Sequence, residues 1–277
     1  MLLETYQLLK NKCSEPIDKL GIKNVQIGLF FTAVELSNGF TGLASTERNA
    51  IESCAKRYSK DYGLFAPGKM CGHTIGELFE STDKISIINF IRIAAINAVS
   101  AYHFNNSNYT ILNDKDPIDL IDLNKSLKIC MVGAFHSYIK RIALSPSKLH
   151  VFELDKNALF GDYKKYYTPQ EAAEEYMNEA DVIMITASTM VNNTLDSILT
   201  KLPEKPLIMV VGPTSVLVPD LLFERGVDVI GATNVYDSER LFKAIAEGAA
   251  GSHLFRNGAR KICILNENRK KITRSMA

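Results

Sequence analysis

The sequence predicts an α/β protein in which a doubly wound parallel sheet fills the second half of the chain and a smaller α+β unit precedes it. Three observations lead there. From Ser126 onward, short apolar runs rich in β-branched residues alternate with helical patterns over short connections, as in β-α-β units. Before that point, Asn38-Gly39 joins two strand-like runs, and Asn-Gly is the strongest short-range signal for a hairpin. Finally, the runs of the second half end in small or polar residues, Gly133, Glu153, Thr186, Gly212 and Gly231, so five strand ends are expected along one edge. Open α/β sheets bind their ligands beyond such carboxyl ends.

In order, Leu2 to Leu20 reads as a helix stopped by Gly21. Val25 to Leu36 and Phe40 to Ala44 form the hairpin, Pro67-Gly68 and Gly72 mark a loop, and Thr74 to Phe79 resumes helical structure. Ser81-Thr82-Asp83 offers caps for the long apolar helix that follows. These elements make an α+β unit over residues 1–104, with a polar linker at 105–125 and the α/β body at 126–277. In the body, strands are expected at Leu127–Val132, Leu149–Leu154, Asp181–Thr186, Leu207–Val211 and Val227–Ile230, with Lys261–Leu265 as a last edge strand. Helices are expected up to Leu144, from the capping box Thr168-Pro169-Gln170-Glu171 to Asn178, from Thr194 to Leu202, and at Pro219–Glu224 and Ser238–Glu247.

At 277 residues, with 46% hydrophobic and 23% charged residues, the composition is that of a soluble globular protein. The net charge is +1 and the basic residues are dispersed, which argues against nucleic acid and against an anionic membrane surface as partners. The longest apolar region, Ile85 to Phe104, is interrupted by Asn89, Arg92 and Asn97 and so reads as a buried helix. Met1 to Tyr6 lacks the basic and apolar pattern of a signal peptide. The five cysteines, Cys13, Cys54, Cys71, Cys130 and Cys263, are scattered without a CxxC pair, so a reducing cytoplasm is expected.

The working centre is placed at Ala180 to Thr194, an apolar strand that breaks into hydroxyls and amides. Ser188, Thr189, Asn192, Asn193 and Thr194 crowd the turn before a helix, where free N–H groups favour an anion; a polar N-cap loop would need only one or two of them. Gly212-Pro213-Thr214-Ser215 fits either a second wall of that site or a plain turn, and Asn234 and Asp237 are equally ambiguous because Asp237 also suits a helix cap. Gly133 is the only glycine of a dinucleotide fingerprint present after the first strand, with Phe135 and His136 filling the space a pyrophosphate needs, so a nucleotide cofactor is disfavoured although Glu153 stands where a ribose ligand would. Candidate metal ligands are His136, Glu153, Cys71 and His73, too few for a structural zinc site. In the front unit, Thr32 and Glu35 are the site candidates, a solvated strand face explaining Glu35 equally well.

The segments MVGAF, VFEL, ADVIMITASTMVNNTL, VVGPTS, GVDVIGATNV and EGAAG, in that order, resemble the Rossmann-like C-terminal domain of the heavy-metal chelation family. The front segment VQIGLFFTAVELSNGFTGLAST is similar to the enolase-N-terminal-like domain that precedes it there. The resemblance implies a ligand cleft between an enolase-like cap and a Rossmann-like body, and binding of a transition metal or metal chelate. Glu247-Gly248-Ala249-Ala250-Gly251 and Thr186-Ala187 depart from the family's glycine-rich pattern. The expected partner is thus a small-molecule or metal ligand, with a second copy in a homodimer for any self-association. The alternative is an enzyme of small-molecule or cofactor biosynthesis, with Glu153 or His136 as general acid or base.

Overall fold

The computed structural model describes residues 1–47, 63–81, 86–105, 107–215 and 218–269. Helix α1 (Leu2–Lys12) ends at Cys13, short of the expected Leu20, because Pro16 has no N–H with which to continue a helix; a single 3-10 turn follows at Ile17–Lys19. Three antiparallel strands come next, β1 (Ile22–Ile27), β2 (Phe31–Leu36) and β3 (Thr41–Ser45), in the order β1-β2-β3. Asn38-Gly39 makes the β2–β3 turn as expected. The run read as one strand from Val25 to Leu36 instead folds back at 28–30, where the Gly28 N–H donates to the Phe31 carbonyl at 2.9 Å. Leu29 and Phe30 in that turn are apolar and so disguise it.

Helix α2 (Ile75–Glu80) starts from a reciprocal capping box between Thr74 and Glu77. The caps expected at Thr82 and Asp83 lie outside the described residues. Helix α3 (Ser86–Asn105) is apolar nearly all round, and 67% of its Ile87–Phe104 stretch is buried inside the fold, as befits a core helix.

Residues 105–125, expected as a linker, supply strand β4 (Thr110–Asn113) and a 3-10 turn at Pro117–Leu120 whose Ile118 is fully buried. The rest alternates: β5 (Lys128–Val132), α4 (His136–Ile142), β6 (Lys148–Phe152), α5 (Ala173–Asn178), β7 (Val182–Thr186), α6 (Ser188–Val191), α7 (Leu195–Leu199), β8 (Leu207–Val211), α8 (Pro219–Glu224), β9 (Val229–Val235), α9 (Ser238–Ala246), α10 (Gly251–Leu254) and β10 (Ala259–Leu265). All seven strands from β4 to β10 join in one sheet, in the order β4-β10-β9-β8-β7-β5-β6. Strands β5 to β9 are parallel, β10 is antiparallel to β9, and β4 is antiparallel to β10. The expected α/β class therefore holds, with a mostly parallel sheet and a smaller antiparallel one. Strand β10 was expected at the edge, but β4 covers it.

The capping box expected at Thr168 does not form. Thr168 is buried, its hydroxyl 3.1 Å from His150 Nδ1, and helix starts only after a 3-10 turn at Gln170–Ala172. Burial beneath β6 outcompetes the cap.

Each face of the large sheet is covered, which is why its strands read as unbroken apolar runs. Along β7, Val182 and Met184 pack with Tyr138, Ile139 and Ile142 on the α4 side. Ile183 and Ile185 join a core that continues through α3 into Val34, Leu36 and Leu9 of the front unit. The two units thus share one hydrophobic core. At their junction β3 lies directly against α3: a Cβ on Gly42 would come within 2.1 Å of the Ala94 carbonyl oxygen and 2.3 Å of the Ala98 nitrogen. Backbone on both sides leaves nothing flexible to move. Gly42→Ala is therefore expected to lower unfolding stability by about 3 kcal/mol, read from urea melts; an unchanged midpoint would contradict this contact.

Candidate functional site

Strands β5, β7 and β8 are sheet neighbours, and their carboxyl ends lie side by side. Gly133, at the end of β5, has φ of 94°, and a Cβ there would come 2.7 Å from Thr186 Cγ2 at the end of β7. On the other side, a Cβ on Gly212 at the end of β8 would come 3.2 Å from Ala187 Cβ. Two glycines thus flank Thr186-Ala187 and let the three strand ends pack closely, the Gly133 N–H donating to the Phe152 carbonyl and the Gly212 N–H to the Gly231 carbonyl, each at 2.9 Å. The Ser188 N–H donates to Thr186 Oγ1 at 3.3 Å and the Thr189 hydroxyl to the Thr186 carbonyl at 2.5 Å, so the β7 end is a tight hydroxyl-lined turn.

Glu153 organises one wall. Its carboxylate accepts N–H groups from Ala134 at 2.9 Å, Leu154 at 2.8 Å and Asp155 at 3.2 Å, tying the loops after β5 and β6 together. Both its oxygens are thereby engaged with main chain. The opposite wall comes from the front unit. Thr214 is fully buried, and its hydroxyl accepts the Ser45 N–H at 2.9 Å and lies 2.9 Å from the Ser45 hydroxyl. The side-chain amide of Asn97, on α3, donates to the Leu43 carbonyl at 2.7 Å and to the Thr214 carbonyl at 3.0 Å. The Ser215 hydroxyl donates to the Gly212 and Gly231 carbonyls, each at 2.6 Å, and so fixes the turn that also holds Pro213. The end of β3 is thereby pinned to the end of β8. Thr32 and Thr46 hydroxyls, 2.9 Å apart and buried, brace it from behind. Next in the chain comes Glu47, partly buried, and that burial pushes its carboxyl above the ordinary glutamate range.

The structure gathers Gly133, Glu153, Thr186, Ser188, Gly212, Pro213, Thr214, Ser215 and, behind them, Thr32. It disperses the others. Asn192 and Asn193 are exposed; Asn192 Oδ1 accepts from the Thr194 N–H and hydroxyl at 3.2 and 2.7 Å, closing a turn. The helix expected from Thr194 to Leu202 is only Leu195–Leu199, too short to carry much of a dipole. Thr189 and Asn193 line a separate hollow of about 50 Å³ beside Met1 and Leu2. Asp237 caps α9, accepting the Arg240 N–H at 3.1 Å, and Asn234 stands opposite Arg260 in the β9–β10 register. Glu35 pairs with Lys23 at 2.7 Å at the hairpin end of the small sheet. Its register partner is Thr41, about 13 Å along β3 from Ser45 at the usual rise per residue. His136 Nε2 donates to the Ala158 carbonyl at 2.7 Å, and its ring packs on Phe160.

The donor set does not fit a bare heavy-metal ion. Among the described residues no group of three or more His, Cys, Asp and Glu side chains is placed to hold one. Cys71 is exposed and His73 Nδ1 sits 3.4 Å from Glu77 in the loop before α2. Burial pushes the Cys130 and Cys263 thiols up to about 12, so neither is a thiolate near neutral pH.

Sequence reading missed Ser45, Thr46 and Glu47, and it took Asn97 only as a break in an apolar run. The available signal was the change from apolar β3 to Ser45-Thr46-Glu47, the same strand-to-polar transition that marks β7. Thr214→Val would strip the Ser45 N–H of its acceptor, and a stability loss of about 1–3 kcal/mol is expected, with faster amide exchange at Ser45 in hydrogen-exchange measurements. Wild-type exchange there would show that the pin is not made.

Comparison with known proteins agrees with this architecture. A family profile described as "Putative heavy-metal chelation" matches residues 116–264, and a second with the same description matches residues 6–100. A crystal structure of a protein of unknown function from Pyrococcus horikoshii superposes with TM-score 0.73 at 23% identity, covering 96% of this chain and 100% of that one. A second, from Desulfitobacterium hafniense, gives TM-score 0.71 at 20% identity, covering 96% and 99%. At those identities they show the fold. An uncharacterized protein of Methanocaldococcus jannaschii is 29% identical over 191 residues, 67% of this chain and 69% of its own length. With profiles of one description spanning both the front unit and the sheet that carries the strand-end edge, the chain belongs to the family described as putative heavy-metal chelation.

Proposed function

We propose that the chain binds a small anionic molecule carrying its own metal ion, at the edge where β5, β7 and β8 end against the end of β3. The observation that carries this reading is the close packing of Gly133 and Gly212 on either side of Thr186-Ala187, with the half-buried Ser188 next in the chain, its N–H on Thr186 Oγ1. Hydroxyls at this edge suit carboxylate or phosphate oxygens, while the N–H groups of Gly133, Ala134, Ala187 and Gly212 are engaged within the chain. Hydroxyls are poor ligands for a soft metal, which is better held by thiolate or imidazole. The family description supports a metal; the hydroxyl chemistry supports a ligand that brings it. Glu47 fits the same picture, because a partly buried carboxylate gains its charge at less cost when a cation lies nearby. In this reading residues 1–104 supply the covering unit and residues 126–277 the body.

Native mass spectrometry with elemental analysis of untagged protein, purified without chelators, tests the reading. A metal accompanied by an equimolar small-molecule mass is expected; stoichiometric metal with no such mass would support direct chelation and overturn it. Ser188→Ala should weaken retention of the co-purified complex about tenfold or more, with an unaltered circular dichroism spectrum. Retention on dialysis should also rise with pH through the elevated titration range of Glu47, since only the ionised carboxylate attracts the metal, and Glu47→Gln should abolish that rise. A wild-type profile flat with pH would exclude Glu47.

A further inference from the structure

A second hollow, of about 400 Å³, opens where β9, β10 and the end of β4 meet, lined by Asp114, Tyr236, Phe255, Ala259, Arg260 and Lys261. Its size is that of a small-molecule pocket. Its lining differs in kind from the strand-end edge, being charged and aromatic where that edge is hydroxyl and glycine. We infer that this hollow is a binding site for a small zwitterion of the amino acid class, with its carboxylate on Arg260, its ammonium on Asp114 and its apolar part along Tyr236 and Phe255.

The charges decide the ligand class. Lys261 is satisfied internally: its ammonium pairs with Asp116, which also accepts the Tyr138 hydroxyl, and lies 5.1 Å from the centre of the Phe255 ring. Arg260 is not. Its guanidinium stands 5.3 Å from the centre of the Tyr236 ring, and its Nε is buried without a hydrogen-bond partner. Arg260 forms no ion pair among the described residues, so a planar five-donor group faces the hollow with its donors unused. A carboxylate is the acceptor whose geometry matches that fork.

Asp114 brings the opposite charge. Its main-chain N–H donates to the Lys261 carbonyl at 2.9 Å, which sets the residue beside β10, and no ion pair joins its carboxylate to Arg260. A purely anionic ligand would meet Asp114 unfavourably, and a purely cationic one would meet Arg260 so. A molecule bearing both charges answers each. The two aromatic rings offer the apolar contact that ranks side chains within the class.

Thermal-shift measurements with the twenty standard L-amino acids at millimolar concentration, followed by calorimetry on those that raise the melting temperature, test the inference. At least one amino acid is expected to bind, and the amine and the carboxylic acid that each lack one of its two charges should bind more weakly. Arg260→Gln should weaken the amino acid about tenfold to a hundredfold. Asp114→Asn should weaken it while sparing the carboxylic acid. Asp114→Asn should leave the melting temperature of the unliganded protein unchanged, and Arg260→Gln should lower it only by the loss of the Tyr236 contact; if Arg260→Gln unfolds the chain, the Asp114→Asn comparison decides alone. No stabilisation by any of the twenty, or equal affinity in wild type and both variants, overturns the assignment.

Discussion

The structure depends on how closely α3 approaches β3. Gly42 allows the helix backbone to lie on the strand, and Asn97, at that same contact, holds the Leu43 carbonyl on one side and the Thr214 carbonyl on the other. A single buried amide thus spans the small sheet and the large one. Three consequences follow. The hydrophobic core runs unbroken from α1 to β10, α3 packs between the front unit's strands and the large sheet, and the end of β3 arrives beside the turn after β8. The strand-end edge follows from that packing together with the Ser45–Thr214 hydrogen bonds and the contact of Phe31, Ala33 and Leu43 with Leu241, Phe242 and Ile245 of α9.

This also changes what Thr214 and Ser215 are for. They are buried hydroxyls whose bonds fix a turn and an interface, and a buried polar pair of this sort specifies geometry more than it adds stability. Glu153 is similar: by collecting three N–H groups it holds two loops in register. The other residues gathered at the edge are small and neutral, and the half-buried Glu47 follows Thr46 in the chain. Chemistry of this kind suits oxygens better than a soft metal ion.

Much of the fold was legible in the sequence because the parallel strands are buried on both faces and so read as continuous apolar runs; β8 (Leu207–Val211) coincides with its expected bounds. What was not legible has local causes. Strand β4 is four residues in a polar stretch, too short to show a period, and it becomes a strand only because β10 offers an edge. The apolar turn at 28–30 hid a strand boundary. The hydroxyl and amide cluster from Ser188 to Thr194 was legible as polar but not as divided, because two short helices, Ser188–Val191 and Leu195–Leu199, turn its members in different directions. Asn97 looked like a blemish in an apolar helix, and only tertiary contact shows it as the bridge.

The most direct test of the account is anomalous diffraction from crystals of untagged, chelator-free protein, collected on both sides of the absorption edge of whichever metal is found. The account predicts a peak at the edge bounded by Ser45, Thr186, Ser188 and Gly212, set within the density of a small organic molecule and lacking direct bonds to cysteine or histidine. A peak ligated by Cys71 and His73, or clear edge density with neither metal nor organic molecule, would contradict it.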